Sequence, residues 1–206
     1  MIVSTESVES RSRRGRPRGF DREKALRQAM RTFWEHGFEA TSIADLTRVM
    51  GIGAPSLYAA FGDKKALFRE VVEAYTRRSD FIGRALAEQA TARQAVDRML
   101  HEAASLYTDP DHPRGCMVIS AATNCTANSA DIEDFLRQKR NQNVARIEAA
   151  IRRDVDAGAL PANVDPRRLA IIVGATLQGM SQQARDGATR DDLLAVADAA
   201  MLAWPA

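Results

Sequence analysis

Residues 41–67 read TSIADLTRVMGIGAPSLYAAFGDKKAL. Ser42 precedes the first apolar residue, and Asp45 stands three positions later, a capping box with Asp in the usual Glu place. Ile43, Leu46 and Val49 follow at helical spacing and form one apolar stripe. A short helix is therefore expected after Thr41 or Ser42, ending at Gly51. A second short helix is expected over 54–60. Pro55 suits its first turn, where the missing N–H is harmless. Phe61 closes it, and Lys64 and Lys65 open another helix that buries Leu67, Phe68, Val71, Val72 and Tyr75. Two short helices joined by a glycine turn have the layout of a helix-turn-helix, whose second helix enters the DNA major groove.

Upstream, Asp21 is a fitting N-cap for a helix running to about His36. Ala25/Leu26, Ala29/Met30 and Phe33/Trp34 recur four apart and give a continuous stripe, and Gly37 supplies a stop in the left-handed conformation. Residues 1–19 carry Arg11, Arg13, Arg14, Arg16 and Arg18 against Glu6 and Glu9. They read as a basic arm, disordered until it meets a partner. Residues 1–70 hold 13 Lys+Arg and 9 Asp+Glu, a net of 13 − 9 = +4, whereas the rest of the chain nets 16 − 18 = −2. A basic arm beside a helix-turn-helix suits phosphate or minor-groove contact, with Arg16 and Arg18 as candidates. Alternatively, such a tail only keeps the protein soluble.

Downstream, apolar spacing of three and four persists and no strand-period pattern of any length occurs, so the fold class expected is all-α. A three-helix head over 20–80 is joined to a larger helical body over 81–206. Gly83 and the Ala-rich stretch around Thr91 mark the joint. Body helices are expected near 92–107, 116–126, 129–157, 166–186 and 190–204. Asp165-Pro166 is a strong start signal, and Thr189 with Asp192 makes a second capping box.

With 45% apolar and 27% charged residues in 206, the chain can bury a core, and its net charge of +2 does not by itself argue for or against nucleic acid. Two cysteines, Cys116 and Cys125, are too few for a secreted disulfide scaffold and point to a reducing cytoplasm. No apolar run approaches the roughly 20 residues needed to cross a bilayer, and the first ten residues lack an apolar signal region. The expectation is a soluble intracellular protein without a membrane partner. A catalytic site is not expected: HExxH, Walker and dinucleotide-glycine motifs are missing. An enzyme would have to use Cys116 or Cys125 with His101 or His112. Thiol sensing has little support either, since only Arg114 and a helix start lie near to lower a thiol pKa.

From Phe20 to Phe68 the chain resembles the head of the tetracycline-repressor (TetR) family of bacterial transcription regulators. The matching pieces are Ala29, Phe33, Gly37-Phe38, Ala40 to Ala44, Gly51-Ile52, Leu57-Tyr58, Phe61, Lys64 and Leu67. The remainder resembles the family in outline, with Gly115-Cys116 and the run from Gln178-Gly179 to Gly187 similar to one subgroup. Three places depart from the pattern: Gly53 where Ser often caps, Pro55 where Gly is common, and Ala59 and Ala60 in place of polar or aromatic residues. The recognition helix then offers Ser56 as its best polar group, with Ala54, Pro55, Ala59 and Ala60 forming a small apolar face suited to thymine methyls.

The resemblance implies that Tyr58 and Lys64 bind phosphate, with Thr41 and Ser42 capping the second helix and presenting N–H groups to phosphate. The alternatives are a buried aromatic at Tyr58 and a solvated charge at Lys64. It also implies a symmetric dimer through the last two helices, where Gly174, Ala175 and Gly179 allow close approach and Ala197, Ala200, Met201 and Trp204 form an apolar face. Packing within the chain is the alternative there. A body cavity for an unidentified small-molecule effector, with no other cofactor, has Leu106, Tyr107, Met117, Cys125, Phe135 and Gln178 as candidate linings, each equally readable as core. The implied function is a ligand-responsive repressor that binds a palindromic double-stranded DNA operator as a homodimer and is released by a small molecule. The same head could serve a repressor or an activator.

Overall fold

The Asp21 carboxylate accepts the Lys24 N–H and starts helix α1 (Arg22–Ala40). The computed structural model describes residues 20–205, so Arg16, Arg18 and the rest of the arm lie outside the described residues. Gly37 interrupts α1 at φ 80°, ψ 173°. The sign of φ is as expected, but ψ is extended, so the chain kinks and makes one further turn instead of ending. At the kink the Phe38 N–H turns to the Ala121 carbonyl at 2.7 Å. A Cβ at Gly37 would press on that same oxygen.

Helix α2 (Ile43–Met50) begins at the Ser42–Asp45 capping box and ends at Gly51, which is left-handed. Helix α3 (Ala54–Phe61) has Pro55 in its first turn. Helix α4 (Lys64–Arg78) is capped by the Asp63 side chain on the Ala66 N–H. The head closes on one aromatic cluster. Phe68 meets Phe33 edge-on at 5.0 Å and Phe38 at 5.1 Å, and all three rings are buried. Leu46, Leu57 and Leu67 are fully buried in the same core.

Helix α5 (Phe81–Glu88) stands where the sequence suggested only a joint. Gly83, poor in helix propensity, lies inside it. Its N–H caps onto Asp80, and the Arg146 guanidinium grips the same carboxylate at 3.0 and 3.1 Å, which leaves no room for a Cβ. Helix α6 (Ala92–Tyr107) is capped by Thr91, and the buried Asp154 accepts the Ala92 N–H from across the body. Helix α7 (Met117–Ser120) is much shorter than the 116–126 expected. The reason is tertiary: the Ala121 carbonyl accepts the Phe38 N–H and the Thr126 N–H donates to Glu39, so both groups serve the head rather than a longer helix. A 3₁₀ turn (Ala127–Ser129) leads into α8 (Ala130–Asp156), followed by α9 (Pro166–Arg185) and α10 (Arg190–Leu202). Helix α8 packs along α9, while α6 packs on α5, α9 and α10. Among the described residues no helix is long and apolar enough to cross a membrane.

Phe68 is the ring that the other two share. Phe68→Ala is expected to cost about 3–5 kcal/mol of unfolding free energy in urea titration, the usual range for a buried Phe. A loss under ~1 kcal/mol would mean that the head is held by something else.

Candidate nucleic-acid interface and body cavity

Helix α3 turns Leu57 and Phe61 into the core and leaves Pro55, Ser56, Tyr58 and Ala59 exposed, with Ala54 and Ala60 half-buried. Tyr58 is 50% exposed, which excludes the buried-aromatic alternative. The exposed face is small and mostly apolar, as the sequence indicated. Its orientation is set by Arg22, which the sequence reading did not single out. That guanidinium forks onto Glu70 at 2.6 and 2.7 Å, lies 4.5 Å over the Phe61 ring, and donates to the Ala60 carbonyl at the end of α3. One cation thus ties α1, α3 and α4 together and neutralises orphan carbonyl charge at a helix C-terminus.

Two expectations for phosphate contact change. Thr41 is buried and its hydroxyl donates to the Gly37 carbonyl at 2.7 Å, so it closes α1 rather than capping α2. Capping falls to Ser42 alone, whose Oγ accepts the Asp45 N–H while remaining exposed. Lys64 does not stand free at its helix start. Its ammonium lies 4.3 Å over the Phe38 ring and reaches the Glu39 carbonyl, and burial lowers its pKa against the nearby Glu39 charge. Lys65 turns the other way and bridges to Asp131 and the Asn128 carbonyl in the body.

The body holds a cavity of about 480 Å³ between α4, α5, α6, α8 and α9. Tyr107 and Gln178 line it. Leu106, Met117, Cys125 and Phe135 do not. Met117 is wholly buried core and Leu106 packs on that core. Phe135 sits under the Arg69 and Lys139 cations, and Cys125 lies toward the head, near Lys64 and Glu39. Tyr75, Cys116 and Arg140 line the cavity and were not proposed for it. Tyr75 was legible only as an apolar-stripe residue, and Arg140 sits in a strongly charged stretch where no pattern marks it. The Tyr75 hydroxyl donates to the Cys116 sulfur at 3.5 Å. Burial pushes the Cys116 thiol up, beyond what the Tyr75 hydroxyl and Arg140 recover, so the thiol is held protonated. Among the described residues no histidine joins either cysteine: His101 bonds to the Asp97 carbonyl and Asp198, His112 stacks on Trp34, and His36 is exposed on α1.

Head and body meet through polar contacts as well as α4. The Glu39 carboxylate accepts both the Thr126 N–H and its hydroxyl at 2.9 Å. Arg31 donates to the Asp111 carbonyl, and Lys65 and Arg69 share Asp131. The segment from Cys116 to Thr126 therefore begins at the cavity wall and ends hydrogen-bonded to the kink of α1.

Residues 25–71 match the family described as bacterial regulatory proteins, tetR family, and residues 92–200 match the tetracyclin repressor-like C-terminal domain. The chain is 34% identical over 206 residues to the HTH-type transcriptional repressor ComR of Escherichia coli (strain K12), covering 98% of each. The chain belongs to the TetR family. It is also 35% identical over 119 residues to the repressor BdcR of the same organism, covering 57% of this chain and 60% of BdcR. Among solved structures, a cysteine-substituted form of the TetR-family regulator CifR, complexed with double-strand operator DNA, is 40% identical. It superimposes with a TM-score of 0.89 over 93% of this chain and 100% of that one.

With the family placed, the residues assigned to a dimer face divide. Gly174 is buried, its Cα packed near Val144 of α8, and Ala197, Met201 and Trp204 are buried within the chain. These four serve the chain's own core. Ala175 and Gly179 are exposed on α9 and Ala200 is half-buried on α10. The exposed apolar side chains beside them are Ile171 and Ile172 on α9 and Val196 and Leu202 on α10, the last 88% exposed. The apolar stripe visible in the sequence of α10 was its inward face.

Glu39 has its pKa lowered by hydrogen bonds from the Ser129 hydroxyl, then from the Thr126 N–H and hydroxyl. A carboxylate depressed on folding stabilises the folded chain above its unfolded pKa, and that contribution disappears as pH falls through the folded value. Glu39→Gln should therefore melt below wild type at neutral pH. The gap should close as the solution is acidified below the carboxyl's ordinary 4.5. A gap independent of pH would show that the charge of Glu39 does not hold the junction.

Proposed function

We propose that the chain is a sequence-specific transcriptional repressor that binds a palindromic DNA operator as a homodimer and leaves it when a small molecule enters the body cavity. One observation carries this reading: the exposed face of α3, aligned by Arg22, belongs to a chain similar over its whole length to a repressor and to an operator-bound regulator. Helix α3 enters the major groove, where Ser56 offers a hydrogen bond and Pro55 and Ala59 an apolar surface. Tyr58, Ser42 and the first-turn N–H groups of α2 fix position on phosphates. Lys64 contributes by holding the α1 kink, and its ammonium must leave Phe38 before it can reach a phosphate.

The homodimer forms through the outer faces of α9 and α10, a four-helix contact across a two-fold axis. Two-fold symmetry sets the recognition helices about one DNA turn apart, roughly 34 Å, or farther for a longer operator. An effector in the cavity touches α4 at Tyr75. Moving that end of α4 moves the head, because the same helix carries Phe68. The coupling required is about 1–3 kcal/mol. Activation by the same contacts is the second form of this reading. A chain that coats DNA without sequence preference is disfavoured by the small charge excess.

Mobility-shift titration against the intergenic DNA upstream of its own gene, in excess non-specific competitor, tests the function. Saturable binding that weakens with salt is expected. Loss of all binding to the competitor would leave a non-specific DNA-coating protein. Tyr58→Phe should weaken the complex about 2–10-fold, the value of one hydrogen bond, and an unchanged affinity would remove the hydroxyl from the interface.

For the dimer, Ile172→Glu and Leu202→Glu should each shift the protein toward monomer in light scattering and lower operator affinity in parallel. Wild-type mass for both variants would place the interface elsewhere.

A further inference from the structure

Four cationic side chains line the body cavity against a single carboxylate. Two of the cations are already balanced: Lys139 pairs with Glu73 at 2.6 Å, and Arg146 pairs with Asp80. Arg77 is exposed at the rim. Arg140 is different. It lies half-buried against the cavity, and its hydrogen bond among the described residues is one N–H to the Val118 carbonyl at 2.9 Å. No carboxylate of the described residues comes within 4.0 Å of it. A guanidinium carries several more N–H donors in a planar fork. Burying such a group without an anion is unfavourable, which is why its pKa falls despite the nearby Glu133.

We infer that the cavity selects an amphipathic monocarboxylate, with its carboxylate on the fork of Arg140 and its apolar part against Phe81, Ile82, Val144 and Leu177. This rests on the reading of the cavity as the effector site. The carboxylate matches the guanidinium bidentately and supplies the missing countercharge. The apolar residues stand on α5, α8 and α9, so the tail of the ligand spans the space between these helices. Tyr75, whose hydroxyl donates to the Cys116 sulfur, and Tyr107 lie in the same wall and can turn to a ligand oxygen. A neutral ligand of the same shape leaves the Arg140 fork unpaired. A cationic one is repelled by it.

The test is calorimetric titration of the full chain with octanoate, decanoate, phenylacetate and naphthoate, each beside its own primary amide. At least one acid is expected to bind, roughly tenfold or more tighter than its amide, as a charge-assisted bond implies. Arg140→Gln should erase that preference. Arg140→Lys, which keeps the charge, should retain part of it, and a melting curve close to wild type for both variants separates lost recognition from lost folding. The inference falls if no acid binds tighter than its amide, or if the preference survives in Arg140→Gln. Operator binding by the ligand-free protein is measured separately. If it persists while the acids fail, the regulator reading stands and only the ligand class is wrong.

Discussion

Helix α4 is the continuous element that head and body share. Its first half completes the aromatic core of the head with Phe68, and its last turns wall the body cavity with Tyr75. A helix of 15 residues extends for about 22 Å at the usual rise, and no Gly or Pro interrupts it. Such a rod does not absorb displacement locally. Its two ends belong to the head core and to the cavity wall.

The polar junction adds a second route between the same two places. Cys116 stands at the cavity wall, and ten residues later Thr126 is gripped by Glu39 in the last turn of α1. Between them the Ala121 carbonyl accepts the Phe38 N–H at the kink. The Glu39–Thr126 contact is partly exposed and the Phe38–Ala121 bond is buried, and each is individually modest. Their value is positional. They orient α1, and through Arg22 and Glu70 they set α3 relative to α4.

Much of the head was legible in the chain because its signals are local. Capping residues, glycine stops and apolar spacing of three and four act within one turn of helix, and the Ser42–Asp45 box formed as the residue types require, as did the Asp165 and Thr189 caps in the body. The errors share a cause. α5 escaped notice because Gly83 argues against a helix unless Asp80 and Arg146 close over its backbone. Helix α7 stops short of the length its residues suggest because Ala121 and Thr126 are hydrogen-bonded to the head. Nothing in the neighbourhood of Lys64 along the chain announces Phe38 beneath its ammonium.

The amino-acid sequence by itself determined the all-helical class and the helix-turn-helix, since both follow from periodicity and capping, and its matching residues from Phe20 to Phe68 carried the family resemblance. Tertiary structure decided which apolar stripe of α10 is core and which is free, which residues enclose the cavity, and that Arg140 is left without a countercharge there. Those depend on pairs of residues tens of positions apart. A hydrophobic stripe states that a face wants covering, and only the packed chain shows whether its own helices have already covered it.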